Sequence, residues 1–148
     1  NGRRRQRQMC IRDSNNVVAG IRANDVGQYD SAIDVALGNT AKVPVAGTNT
    51  TLGLIATNAN LSKAQLKKVA EMAHDGMARA IRPIHTQFDG DTVFAVSMPW
   101  SEVETTPDAQ LNSIGIAGAK ALEFAIVDAV RSAKSVGDVV ACCDWHID

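Results

Sequence analysis

TTLGLIATNANLSKAQLKKVAEMAHDGMARAIRPIHTQFDGDTVFAVSM, residues 50–98, is the stretch that decides the fold. Its opening, 50–58, is rich in β-branched residues, with Leu52, Leu54 and Ala56 on one face, and reads as a strand. Ser62 and Gln65 then form an S-x-x-Q capping box, with Leu61 placed to staple onto Leu66. From there Leu66, Val69, Ala70, Ala73, Met77, Ala80 and Ile81 recur at helical spacing, and Pro83 is expected to stop the helix. Met77 falls on the apolar stripe, and Met72 flanks it. Asp89-Gly90 predicts a tight turn into a second strand over 91–98.

Outward from this unit the signals continue. Thr106 is a suitable N-cap with Pro107 at the first helical position, opening a long helix to about Ser132. Gly115 and Gly118 in its early turns predict close packing against another element. Upstream, VVAGIR (17–22) reads as a short buried strand, and 29–37 as a short helix ended by Gly38. The order strand, helix, strand, helix after Gly47 predicts a layered α/β arrangement with helices covering a sheet.

A chain of 148 residues, 45% apolar and 21% charged, has the composition of one globular domain or a piece of one. The formal charge of -1 conceals an imbalance: residues 1–14 hold Arg3, Arg4, Arg5, Arg7 and Arg12 against Asp13 alone, so the remainder is acidic. With no basic face beyond residue 14, nucleic-acid binding is not expected. No apolar run is long enough to span a membrane, and the arginine-rich start lacks the pattern of a secretory signal. Three cysteines, two of them the neighbours Cys142 and Cys143, argue against a disulfide framework, so a cytoplasmic setting is expected. His74, His85 and His146 lie apart from paired cysteines, and no Gly-rich phosphate loop occurs, so neither zinc nor nucleotide binding has support. Residues 1–14 have neither strand nor helical period and read as a basic tail, a disordered arm or non-native sequence joined on, with no chemistry expected there.

Two constellations can carry chemistry. Gly47-Thr48-Asn49-Thr50-Thr51 brings hydroxyls to the mouth of the first strand, and Asp89-Gly90-Asp91 brings two carboxylates to the mouth of the second. If the strands are neighbours, both lie at one edge of the sheet. A threonine hydroxyl needs a base, and a free α-amine with an ordinary pKa of about 7.7–8.0 can serve as one. Paired carboxylates then orient hydroxyl and ammonium, one of them holding a proton because like charges resist joint ionisation. Threonines are also common at strand starts and Asp-Gly in turns, so spacing alone leaves a purely structural reading open. His85, in the loop before Asp89, is a candidate to line the same site. His74, on the helix, reads as a packed or boundary residue, and Cys142 and Cys143 as buried apolar residues or a frayed tail.

GTNTTLGLIATNANLSKAQLKKVAEMAHDGMARAIRPIHTQFDGDTVFAVS (47–97) closely resembles the DmpA-type family of L-aminopeptidase/D-esterases, which includes the 6-aminohexanoate-oligomer (nylon oligomer) hydrolases. The likeness rests on the N-T-T-L start, the M-A-H-D-G-M-A-R-A-I helix and the H-T-x-F-D-G-D-T-V-F-A turn and strand, and is weaker over 17–22 and 111–133. The resemblance implies a four-layered α/β/β/α sandwich, here partial. It implies a precursor cut between Asn49 and Thr50, with Thr50 the new N-terminal nucleophile. Asp89 and Asp91 match the acidic positions of the nylon-hydrolase branch, where peptidase relatives often carry a Ser and a Glu. On this division 15–49 ends the α part and 50–148 is the β part. The implied substrate is a small peptide or amide, with no metal or organic cofactor and a homo-oligomer of processed units.

Family members carry a long α part before VVAGIR that supplies an oxyanion-stabilising Asn, and the tail 136–148 does not resemble the usual family ending. The chain therefore reads as a fragment. Two alternatives stand beside hydrolysis. One is an N-acyltransferase of the ornithine acetyltransferase type, disfavoured because Asp91-Thr92 is followed by Val93-Phe94 and not by further hydroxyls. The other is a catalytically incompetent fragment.

Overall fold

The capping box forms as the sequence predicts, and the helix it opens organises the domain. In the computed structural model, which describes residues 9–38, 50–87, 89–100 and 104–145, Gln65 N–H donates to Ser62 Oγ (3.3 Å) and Ser62 N–H to Gln65 Oε1 (2.9 Å). This starts α2, Lys63–Ala80, which follows α1, Ala32–Ala36. The helix ends three residues before Pro83, because Ile81–Arg82 leave it as a strand, β6. The residue before a proline is biased toward extended backbone, so the break falls ahead of the ring itself.

Strands β5, Leu52–Thr57, and β7, Thr92–Ser97, pair in parallel with Leu52 opposite Thr92 and Thr57 opposite Ser97. Helix α2 connects them, and α3, Asp108–Arg131, packs beside α2. The buried core lies between the helices and the sheet: Ile55, Leu61, Val69, Ala73, Met77, Val93 and Leu122. The two helices approach closely. A Cβ on Gly76 would stand 2.0 Å from the Ala119 carbonyl oxygen, and one on Gly115 would stand 2.3 Å from Met72 Sδ. At Gly76, where the obstacle is backbone, only hydrogen fits, whereas at Gly115 a methyl would have to displace the end of the Met72 side chain.

The α3 start differs by one residue from expectation. Pro107 is the N-cap and contributes no side-chain capping bond. The Thr106 backbone is engaged elsewhere: its N–H donates to Asn60 O (2.8 Å) and its carbonyl accepts from Gln65 Nε2 (2.9 Å). Gln65 also donates to Asp108 Oδ1 (2.8 Å), so one buried amide joins the first turns of both long helices.

Residues 17–22 are not one strand. They divide into β2, Asn16–Ala19, and β3, Ile21–Arg22, at Gly20, where a Cβ would lie 2.7 Å from Cys10 Sγ. Strand β3 pairs antiparallel with β4, Tyr29–Asp30, which takes the first residues of the expected helix 29–37. Of the readings given for 1–14, a disordered arm does not describe Cys10–Asp13, which form β1 between β2 and β6 in an antiparallel sheet. Burial of Cys10 with Ile21, Ala32 and Val35, and a 2.6 Å ion pair from Arg131 to Asp13, hold it there. The tail is not frayed through Trp145. Cys142–Asp144 form a 3-10 turn, Cys142 Sγ donates to Val130 O (3.1 Å), and Trp145 lies 4.4 Å under the Arg22 guanidinium.

The helices and sheet form a mixed α/β unit, with the helices on one face of the β5–β7 pair. Among the described residues nothing covers the other face: Leu52 is 70% exposed and Phe94 57%, with Leu54 and Val96 beside them.

Candidate active site

Parallel pairing with Leu52 opposite Thr92 brings the two sequence constellations to the same end of the sheet. The ladder continues outward, Thr92 N–H donating to Thr51 O (3.0 Å). One step further, Thr50 lies against Gly90: a Cβ there would stand 2.9 Å from Thr50 Oγ1. The glycine of the D-G-D run therefore makes room for the threonine hydroxyl, a role beyond turn formation. The turn itself lies just before it, closed by Asp89 N–H donating to Thr86 O (3.0 Å).

The two carboxylates part company in this geometry. Asp89 Oδ2 accepts from Thr86 N–H (2.8 Å) and braces its own loop. Asp91 faces inward, its side chain only 1% exposed, and Oδ1 accepts the Thr51 N–H at 2.8 Å. It thus grips the peptide immediately after the candidate nucleophile. Its other oxygen, Oδ2, accepts from His85 N–H (3.3 Å) and lies 3.0 Å from His85 Nδ1. His85 adopts φ +57°, a left-handed backbone uncommon outside glycine, in which its amide and its ring reach one oxygen.

His74 joins this group, though its place on the helix reads as packing. Its Nδ1 lies 3.2 Å from His85 Nε2, the rings meeting edge to face at 4.8 Å between centroids. Periodicity could not show this, because the partner comes from a loop eleven residues on. Asn49, on the other side of the expected cleavage point, lies outside the described residues. Among the described residues no cluster of three or more His, Cys, Asp or Glu is arranged to hold a metal ion.

The profile of peptidase family S58 matches residues 6–141, nearly the whole chain. The chain belongs to peptidase family S58. It is 40% identical over 111 residues to an uncharacterized aminopeptidase of Mycobacterium leprae, a match covering 69% of this chain and 31% of the relative. It is 42% identical over 100 residues to an uncharacterized aminopeptidase of Mycobacterium tuberculosis, covering 62% of this chain and 29% of that protein. It is 34% identical over 106 residues to a 6-aminohexanoate-oligomer endohydrolase of a Kocuria species, covering 72% and 29%. The chain therefore spans under a third of the length of these relatives. The S58 match begins inside the arginine-rich segment, ahead of β1.

Proposed function

We propose that this chain is the nucleophile-bearing part of an autoproteolytic amide hydrolase in which Thr50 becomes the N-terminal nucleophile. The observation that carries the reading is the placement of the Thr50 hydroxyl against Gly90, with buried Asp91 holding the next peptide N–H. In maturation Thr50 Oγ attacks the Asn49 carbonyl, the acyl group passes from nitrogen to oxygen, and water hydrolyses the ester to free the Thr50 amine. That amine then takes the Oγ proton as Thr50 attacks a substrate carbonyl and passes it to the nitrogen that departs as the amide C–N bond breaks. Water later hydrolyses the acyl-enzyme ester to free the acid and Thr50. Asp91 keeps the Thr50–Thr51 backbone in register, and Asp89, which braces the loop through the Thr86 N–H, is the second carboxylate of the proposed site.

The substrates are small peptides or amides. Aminopeptidase action accords with the names of the 40–42% identical relatives, and cleavage of 6-aminohexanoate oligomers with those of the 33–34% group. The working unit is an oligomer of processed α/β/β/α sandwiches. The bare face of Leu52, Leu54, Phe94 and Val96 supports a second sheet packed over it, since a strand pair apolar on both sides is suited to burial on both.

The same bare face, with a chain spanning under a third of its relatives, favours a second reading in which this piece alone does not mature. Intact-protein mass spectrometry of the chain beside a Thr50→Ala control separates the two. Two pieces meeting between Asn49 and Thr50, absent from the control, establish the nucleophile. An uncut chain that cuts when an α part is supplied establishes the incomplete piece. A chain uncut in both settings rejects Thr50.

A further inference from the structure

The ring pair His74–His85 has no part in the chemistry above, yet it touches the group that aligns the nucleophile. An ionised Asp91 can only accept hydrogen bonds, and the 1% exposure of its side chain means that its oxygens depend on protein donors. Oδ1 has the Thr51 N–H; Oδ2 has the His85 N–H and faces His85 Nδ1 at 3.0 Å. Nδ1 must then carry a proton in both the neutral and the charged state of His85. In neutral His85 the proton on Nδ1 leaves Nε2 a bare lone pair, so His74 Nδ1, 3.2 Å away, must donate to it. If His85 gains a proton on Nε2, the roles reverse: His74 must present a bare Nδ1 and carry its proton on Nε2. One added proton is thus absorbed without disturbing Asp91, either on His74 Nε2 with no tautomer change or on His85 Nε2 with the tautomer change in His74. Two added protons would set N–H against N–H across 3.2 Å and open the link.

We propose that His85 is the positioning residue for Asp91, and that His74 completes a relay, Asp91–His85–His74, which accepts one proton while Asp91 keeps its grip on the Thr51 amide. Among the described residues, the titratable groups facing His85 are the Asp91 carboxylate at the start of β7 and the His74 ring on α2; Asp89, in the same loop, is turned to the Thr86 N–H. That the relay serves catalysis rests on the function proposed above, whereas its protonation pattern does not.

The test uses the full 148-residue chain labelled with ¹⁵N, reading imidazole nitrogens and the Thr51 amide by NMR across a pH series. Neutral His85 is expected as the Nδ1–H tautomer. As it is protonated, His74 moves its proton from Nδ1 to Nε2, and the Thr51 amide shift follows the same curve. His85→Asn, which retains a donor near the Nδ1 position, keeps Thr51 exchange slow but removes the amide's response to that titration. His85→Ala speeds Thr51 exchange about tenfold, as expected for loss of a hydrogen bond to a charged group. Neutral His85 protonated on Nε2, or a Thr51 amide indifferent to His85, overturns the relay, and the first needs no variant to fold. Mass spectrometry of the same samples keeps the two proposals apart. A relay present in a chain that never cuts, even with an α part supplied, leaves the positioning role standing and removes Thr50 as nucleophile. A cut chain without the relay does the opposite.

Discussion

The two faces of the β5–β7 pair have much the same chemistry and opposite fates. Toward the helices, Gly53, Ile55 and Val93 are buried, and a Cβ on Gly53 would meet Met77 Cε at 3.0 Å. On the other side Leu52, Leu54, Phe94 and Val96 are exposed, and the edge continues into Trp100, 90% exposed. Apolar side chains on both faces of a parallel pair are the composition of strands covered on both sides. The contrast teaches that only one of the two coverings is supplied by the described residues.

Substitutions can break that contrast. The largest effect is expected on the closed face: Met77→Ala, at a side chain with 0% exposure, should destabilise the chain by about 2–5 kcal/mol through lost transfer energy and a cavity. Urea unfolding followed by circular dichroism measures it. Gly76→Ala should cost about 1–3 kcal/mol, because the new methyl meets the backbone of Ala119 and not a yielding side chain. On the bare face Leu54→Ser should change unfolding by no more than about 0.5 kcal/mol, while reducing self-association in light scattering. A Leu54→Ser loss as large as that of Met77→Ala would mean that this face is covered in the chain as it stands.

Smaller still is the helix surface. Glu71 is held below the ordinary carboxylate range first by its hydrogen bond from Lys67 and then by that residue's charge. A depressed carboxylate stabilises the fold above its unfolded value, and that contribution fades as pH falls through the lowered one. Because Glu71 is solvent-exposed, Lys67→Ala should leave the unfolding midpoint at neutral pH nearly where it was. At the site the readout is rate, not stability. Gly90→Ala pushes a methyl to 2.9 Å from Thr50 Oγ1, and cleavage after Asn49 should slow on the order of tenfold to a hundredfold with folding intact.

The sequence by itself determined the elements whose cause is local. Ser62 and Gln65 announce α2 because a capping box needs only residues three apart, and the two strands show in their β-branched, apolar runs. Gly115 and Gly118 predicted close packing against another element; Gly115 does approach Met72 closely, whereas at Gly118 the neighbours Ile55 and Val69 stand at ordinary contact distance. Thr50, the D-G-D run and His85 could be picked out as residue types with chemistry, but not their division of labour. Tertiary structure decided that Asp91 turns inward to the Thr51 amide while Asp89 braces the Thr86 turn. It also decided that His74 meets His85, and that Cys10–Asp13 find strand partners in β2 and β6. These outcomes depend on which strands pair and in what register, which side chains distant in sequence settle together and no local period encodes. For the same reason alternation placed Leu52, Leu54 and Ala56 on one face, yet only the packing of α2 and α3 on the other side left that face uncovered.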